Sequence, residues 1–464
     1  MDSVRDDPAR SLRSRPAILA GLLVALGTLV LIAFGTPVVT GLVIASLAIL
    51  AYFAGGRAFE KSLVLTVVIA FLLPNEMFRK VIKPQELMPL VAVLFLFVSS
   101  RNRAGQPVGL RLTATELWVL LLIAAAFLGA VNGLAAGFPA EQVLDEFALL
   151  LGFALAIVVV RGNPSESGIR QVIYGLIVAA VLVSLRYLSM FIASAGKDRA
   201  ASDQQVLLLL AVPIAFAFLL LERGTIRRTV WLVPLLIMAP AVYVTQTRAL
   251  WLYVPLSVML LAVLYVRHRH LKPRSLLSLG IAVVIAVLAV GGYVTLTSGA
   301  RAGHRALASR AETMKELGRD LSLASRVDFA FQAFNRVSRS PIWGAGLGDH
   351  LRYRIIPTPA RYYFLDFSYM WVLWKLGILG LVPMIGLYFV FLRNVWLVYR
   401  RTSDFFQLRV AAGVFVGFVV MLVIGFESGV LVIYRFNLVW AILMGIFEIW
   451  ARPLEPGSRT HAAL

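Results

Sequence analysis

The sequence predicts an all-α, polytopic integral membrane protein of about 12–14 transmembrane segments with one long polar loop. Three observations carry that prediction. The 464-residue chain is 60% hydrophobic with a mean hydropathy of +0.85, beyond the range of a soluble globular domain. Its apolar runs repeatedly approach the ~20 residues that a helix needs to cross a bilayer. Most basic residues sit in alternate joints between those runs, as the charge bias of cytoplasmic loops requires. That last pattern also assigns sidedness, with both termini inside.

The charged tail 1–16, with Arg5, Arg10, Arg13 and Arg15, is expected in the cytoplasm, so the first helix runs outward. Residues 18–34 could imitate a signal peptide, but apolar runs continue along the chain and the segment is expected to be retained. The first membrane unit, 17–297, holds spans near 17–34, 38–54, 62–74, 86–99, 115–132, 143–160, 171–191, 205–221, 229–245, 250–266 and 276–296. The joints GRAFEKS, RNRAGQPVGLR, ERGTIRR and RHRHLKPR fall inside; PNEMFRKVIKPQE, with three basic residues, falls outside and breaks the bias. Residues 298–365 form the long outer loop. The last membrane unit, 366–450, begins with a run at 366–398 that is too long for one perpendicular helix. Gly377 and Gly380 are expected to divide it into an interfacial helix and a span. Spans near 409–425 and 429–448 follow, and 451–464 is a cytoplasmic tail.

Composition removes several classes of function. A net charge of +20 would point to nucleic acid on a soluble chain; here it is accounted for by orienting arginines, and no nucleic-acid partner is expected. The absence of Cys excludes disulfides, thiolate nucleophiles and Cys-ligated metals, and the five scattered His show no metal-ligand spacing. No P-loop or dinucleotide fingerprint is present, and no cofactor is expected.

With sidedness assigned, the singular ionisable residues collect on the outer face. Arg199 follows the seventh span. Arg248 stands between two apolar runs in TQTRALWLYV, either as an anchor that snorkels to the interface or as a functional cation. Arg326, Arg336, Arg339, His350, Arg352, Arg354 and Arg361 lie in the long loop, where charge bias predicts few arginines. A guanidinium fork grips phosphate in two places, so a lipid-linked diphosphate is an apt partner; anionic lipid headgroups are the simpler one. SRVDFAFQAFNR reads as an amphipathic helix over the membrane domain, capped by Ser325 and ended by Pro341. The GAGLG run then supplies tight turns that can bring backbone N–H groups near an anion. Asp366, where the loop re-enters apolar sequence, is a candidate general base for a sugar hydroxyl, or else pairs with a loop arginine or caps the helix. His350 is a second candidate base. Glu427 and Arg435 lie near the last outer turn.

TQTRALW, SRVDFAFQAFNRVSRSPIWGAGLG and DFSYMWVLWKLGILGL, in this order and spacing, resemble the O-antigen ligase and polysaccharide polymerase superfamily of bacterial envelopes over about residues 110–448. The resemblance implies an inverting, metal-independent glycosyltransferase of the inner membrane that works at its periplasmic face. Its donor would be an undecaprenyl-diphosphate-linked oligosaccharide, and its acceptor a glycan or glycolipid. Membrane lipids, a flippase and a chain-length regulator are the further partners implied. Arg248 would match the arginine that holds the diphosphate and Arg326 the one that opens the loop helix. Arg199 lies where another periplasmic arginine is common. Arg336 and Arg339 join the expected diphosphate-binding set. Ligases of the family usually carry histidine eleven residues before a glycine, where this chain has Asp366 before Gly377. That departure moves the expectation from ligation onto lipid A-core toward polymerisation of repeat units. A transporter or flippase of lipid-linked glycan is the non-enzymatic alternative, and it would need ionisable residues deep along a membrane path.

Overall fold

In a computed structural model of the chain, the described residues are 60, 61, 63, 64, 67, 112–193, 203–222, 224–245, 247–269, 321–352 and 361–454. Among them run α1 (Ala114–Ala135), α2 (Ala140–Leu151), α3 (Ala154–Gly162), α4 (Glu166–Ala193), α5 (Leu207–Leu221), α6 (Thr225–Val244) and α7 (Arg248–Arg269). The loop supplies α8 (Leu321–Arg339) and a two-residue antiparallel ribbon of β1 (Leu351–Arg352) and β2 (Arg361–Tyr362). The chain closes with α9 (Ser368–Arg401), α10 (Phe405–Ile424) and α11 (Tyr434–Ala451). Nine stretches of the described residues are long and apolar enough to cross a membrane, and α2 with α3 counts as one of them. They coincide with nine of the expected spans. The expected spans at 17–34, 38–54, 86–99 and 276–296, and most of 62–74, lie outside the described residues.

Helix α5 is apolar on every side and almost wholly buried, which makes it the axis of the bundle. It packs on α10, while α1 packs on α9, α3 on α11 and α4 on α6. Glycines allow the closest of these approaches. A Cβ at Gly413 of α10 would stand 2.5 Å from the Ile214 Cα, and one at Gly445 of α11 2.6 Å from Val159.

One end of the bundle is tied by ion pairs between the basic joints and carboxylates. Glu116 closes a capping box with Thr113 at the start of α1 and accepts from Arg161 at the end of α3. Asp404 caps α10 and pairs with Arg170 at 3.0 Å; Arg409 reaches Glu222 at 2.9 Å. Among the described residues, Arg161, Arg170 and Arg409 thus gather at one end. The long loop sits at the other.

The long helix α9 is broken. Gly377 has φ 64° and ψ −160°, so the i→i−4 ladder stops there and its carbonyls and amides lose their partners. The segment Pro341–Gly346 supplies substitutes. Ala345 and Gly346 donate to the carbonyls of Trp374 and Lys375 at 2.7 and 3.1 Å, and Ile378 and Leu379 donate to those of Pro341 and Ile342 at 2.9 and 3.2 Å. The break falls at Gly377 alone. Gly380, expected to share in it, is helical, because its amide lies beyond the turn that the strap repairs.

Candidate functional site

The loop end is built on α8. Its inward face carries Phe329, Gln332, Ala333 and Val337, all buried. Phe329 stacks on Tyr362 at 4.9 Å. Gln332 clamps the backbone of Arg352, donating to its carbonyl at 2.9 Å and accepting from its amide at 3.3 Å. The helix starts at Leu321, so Ser325 is not its cap. It is a buried residue one turn inside, because helical backbone extends upstream of the polar SRVD signal. The helix ends at Arg339 before Pro341, as expected, with Arg336 and Arg339 in its last turn where cations oppose the macrodipole.

Arg326, in the second turn of α8, meets Asp366, in the extended segment just before α9. The Arg326 Nε lies 2.6 Å from Asp366 Oδ2, and both side chains are half-exposed. Two candidates separated by forty positions in sequence therefore form one charged pair open to solvent. Arg336 is used differently. It pairs with the buried Asp349 and donates to the His350 carbonyl at 3.3 Å, while the second Asp349 oxygen accepts from Trp374 Nε1 at 2.8 Å. His350 is part-buried, with its ring 5.7 Å from that of Tyr363. Arg339 is exposed.

Beneath this surface lies a buried ion pair that sequence reasoning missed. Lys375, in the turn of α9 before the break, reaches both Glu146 oxygens at 2.7 and 2.8 Å and the Asp349 carbonyl at 2.5 Å. Both side chains are fully buried. Gly348 donates its amide to Glu146 at 2.8 Å. The glycine turns thus do bring an N–H to an anion, and that anion is the protein's own carboxylate. Gly344, Gly346 and Gly348 have φ of 71°, 94° and 82°, a left-handed path that L side chains rarely follow. The path lies against α1, where Leu347 donates to Gly129 at 2.9 Å and a Cβ at Gly133 would stand 2.0 Å from the Leu347 carbonyl. The available signal was the acidic pair Asp145 and Glu146 in the run VLDEFALLL and a lone Lys in WVLWKLG: charges of opposite sign in segments that must both leave water.

A second wall comes from α7. Arg248 is its first residue and lies at the same end of the bundle as the loop. Just before it, the Thr247 hydroxyl donates to Gln205 at 2.8 Å; one turn beyond it, the Trp251 indole donates to the Val242 carbonyl at 3.2 Å. Tyr253 faces Glu427. The turn that carries Glu427 also holds the start of α9: the Ser368 hydroxyl donates to the Ser428 carbonyl at 2.8 Å and its amide to the Gly425 carbonyl at 2.9 Å. Asp366 and α7 thus flank one turn, 425–428. Arg435 is buried at the start of α11. Arg199 and Arg354 lie outside the described residues, as do the side chains of Arg248 and Arg361.

The arrangement offers a paired guanidinium and carboxylate at the mouth of an apolar bundle. Chemically, that can receive an anion and a proton at neighbouring points. The family described as O-antigen ligase matches residues 233–385, a stretch running from α6 through the loop and past the break in α9. No curated protein matches the chain.

Proposed function

From the match of residues 233–385 to the family described as O-antigen ligase, we propose that this chain belongs to the O-antigen ligase and polymerase superfamily and polymerises lipid-linked oligosaccharide repeat units. The family supports a glycan ligase or polymerase activity in general. The donor, an undecaprenyl-diphosphate-linked glycan, the periplasmic placing of the loop end and the choice of polymerisation are our own reading.

The observation that carries the mechanism is the Arg326–Asp366 contact. At rest each neutralises the other. An arriving diphosphate offers Arg326 a doubly charged partner and frees Asp366 to face the acceptor. The acceptor hydroxyl oxygen then bonds to the anomeric carbon as the bond from that carbon to the diphosphate breaks, with inversion. The hydroxyl proton passes to Asp366, and undecaprenyl diphosphate leaves with the bonding pair. Arg248 and Arg326 stabilise the charge that grows on the departing diphosphate, the kind of preorganised electrostatic contribution that commonly dominates catalysis. Arg336 is committed to Asp349, so its part is to hold the loop.

The transporter alternative is less well supported. Among the described residues, the buried Glu146–Lys375 pair fixes the loop, and the remaining charge is concentrated at the two ends. Purified protein in proteoliposomes, supplied with a lipid-linked oligosaccharide, tests the proposal through product size. A ladder of lengths is expected. One transfer onto a distinct glycolipid acceptor would establish the ligase instead, and unchanged substrate moved between leaflets would establish a transporter.

A further inference from the structure

Helix α8 has a second face that the bundle does not use. Opposite the inward Phe329, Gln332 and Ala333, the residues Val327, Phe331 and Phe334 recur at i, i+4 and i+7 and point away from the protein. Phe331 is 66% exposed and Phe334 58%, values that leave large apolar rings without cover. The chain leaves the helix through Ile342 and Trp343, which are also exposed. A surface that presents three aromatic rings in one short stretch marks an interaction site.

The strap that repairs α9 identifies what covers it. The Pro341 and Ile342 carbonyls accept from Ile378 and Leu379, so the exposed Ile342 and Trp343 adjoin the first turn of α9 after its break. From that turn an exposed apolar stripe, Ile378, Val382, Ile385 and Phe389, descends the outside of the span. The part of α9 after Gly377 is by itself long enough, at ~1.5 Å per residue, to cross a hydrocarbon core of ~30 Å. Its outward stripe is therefore the lipid-facing surface, and the exposed Ile342 adjoins the top of that stripe, since its carbonyl accepts from Leu379. The flanks suit an interface too. Arg339 is exposed on one side and Arg326 half-exposed on the other, the positions from which cations reach headgroups beside a buried apolar face.

We propose that α8 is an in-plane membrane helix. Val327, Phe331, Phe334 and Trp343 insert among the lipids of the leaflet at the loop end, and the Arg326–Asp366 pair is thereby held at headgroup height. The helix is then attached on two sides, to the protein through Phe329 and to the bilayer through Phe331 and Phe334. This surface is independent of which glycan reaction the site performs.

The native chain has no Cys, so single labels report cleanly. Nitroxides are placed on Phe331→Cys, Phe334→Cys and Trp343→Cys in lipid nanodiscs, with Val382→Cys as the lipid reference and the exposed Ser403→Cys, in the joint before α10, as the aqueous one. Accessibility to oxygen and to a water-soluble nickel chelate is read by power saturation. The three test positions are expected to follow Val382, with oxygen favoured over the chelate by about tenfold. Values that follow Ser403 overturn the proposal. Protection from both reagents also overturns it, because the cover is then protein, either another part of this chain or a second copy.

Discussion

At the scale of single residues, the pairing of Arg326 with Asp366 makes opposite predictions for binding and for turnover. Asp366→Asn keeps the shape, removes the proton acceptor and leaves Arg326 without a counter-charge. Turnover is expected to fall about 100-fold or more, in line with general-base contributions of roughly 10²–10⁴. The KM for the lipid-linked donor should not rise, since Arg326 is then freer to meet it. A steady-state comparison with Arg326→Ala, which should raise that KM, separates the two roles; full activity in Asp366→Asn rejects the base. Arg248→Ala is expected to lose product while inserting normally in the membrane, and normal product in that variant would reject its part in holding the diphosphate. These residues were legible one at a time, Arg248 and Asp366 as charges at the edge of apolar sequence and Arg326 and Arg336 as arginines in an outer loop where few are expected. Their partnerships were not, since nothing in forty positions of spacing says that Arg326 chooses Asp366 while Arg336 chooses Asp349.

At the scale of elements, the loop is fixed by two devices of different kinds. One is the buried Glu146–Lys375 pair, which brings together α2, α9 and the glycine turns. Removing one partner alone leaves a buried charge, a change that typically costs about 3–5 kcal/mol. Lys375→Met should therefore lower the melting temperature in detergent by more than the double variant Lys375→Met, Glu146→Leu, in which both charges are gone. Equal losses would show that the pair does not act as a unit. The other device is close backbone approach. Gly377→Ala would place a Cβ 2.2 Å from the Ile342 carbonyl and force an unfavourable φ, so the strap should detach and expose the 339–350 segment to limited proteolysis. A wild-type cleavage pattern would contradict the strap. Much of this layer could be read ahead: α8, the turn at Pro341 and a break at Gly377 all follow from composition and punctuation. The start of α8 could not, because the helix-forming residues Leu321, Leu323 and Ala324 carry the helix past the cap signal at Ser325. Nor could the repair of the break, which depends on backbone groups that carry no sequence signature.

At the scale of the whole molecule, the alternation of basic joints was the most legible feature, and nine expected spans appear among the described residues. Among the described residues, Arg161, Arg170 and Arg409 meet carboxylates at one end, and that end is expected to be cytoplasmic. An impermeant maleimide should label Ser403→Cys only after the cytoplasmic membrane is opened, and Asp366→Cys without that step; the reverse pattern would invert the topology. The strap across Gly377 adds a constraint of timing. Synthesis delivers Glu146 long before Lys375, and the glycine turns before the second half of α9, so the early parts precede the dock that they meet. A nascent chain short of that point holds the arginines of α8 but nothing to set them against Asp366. The loop end as described is thus completed only once the second half of α9 has been made, so it is a late product of assembly.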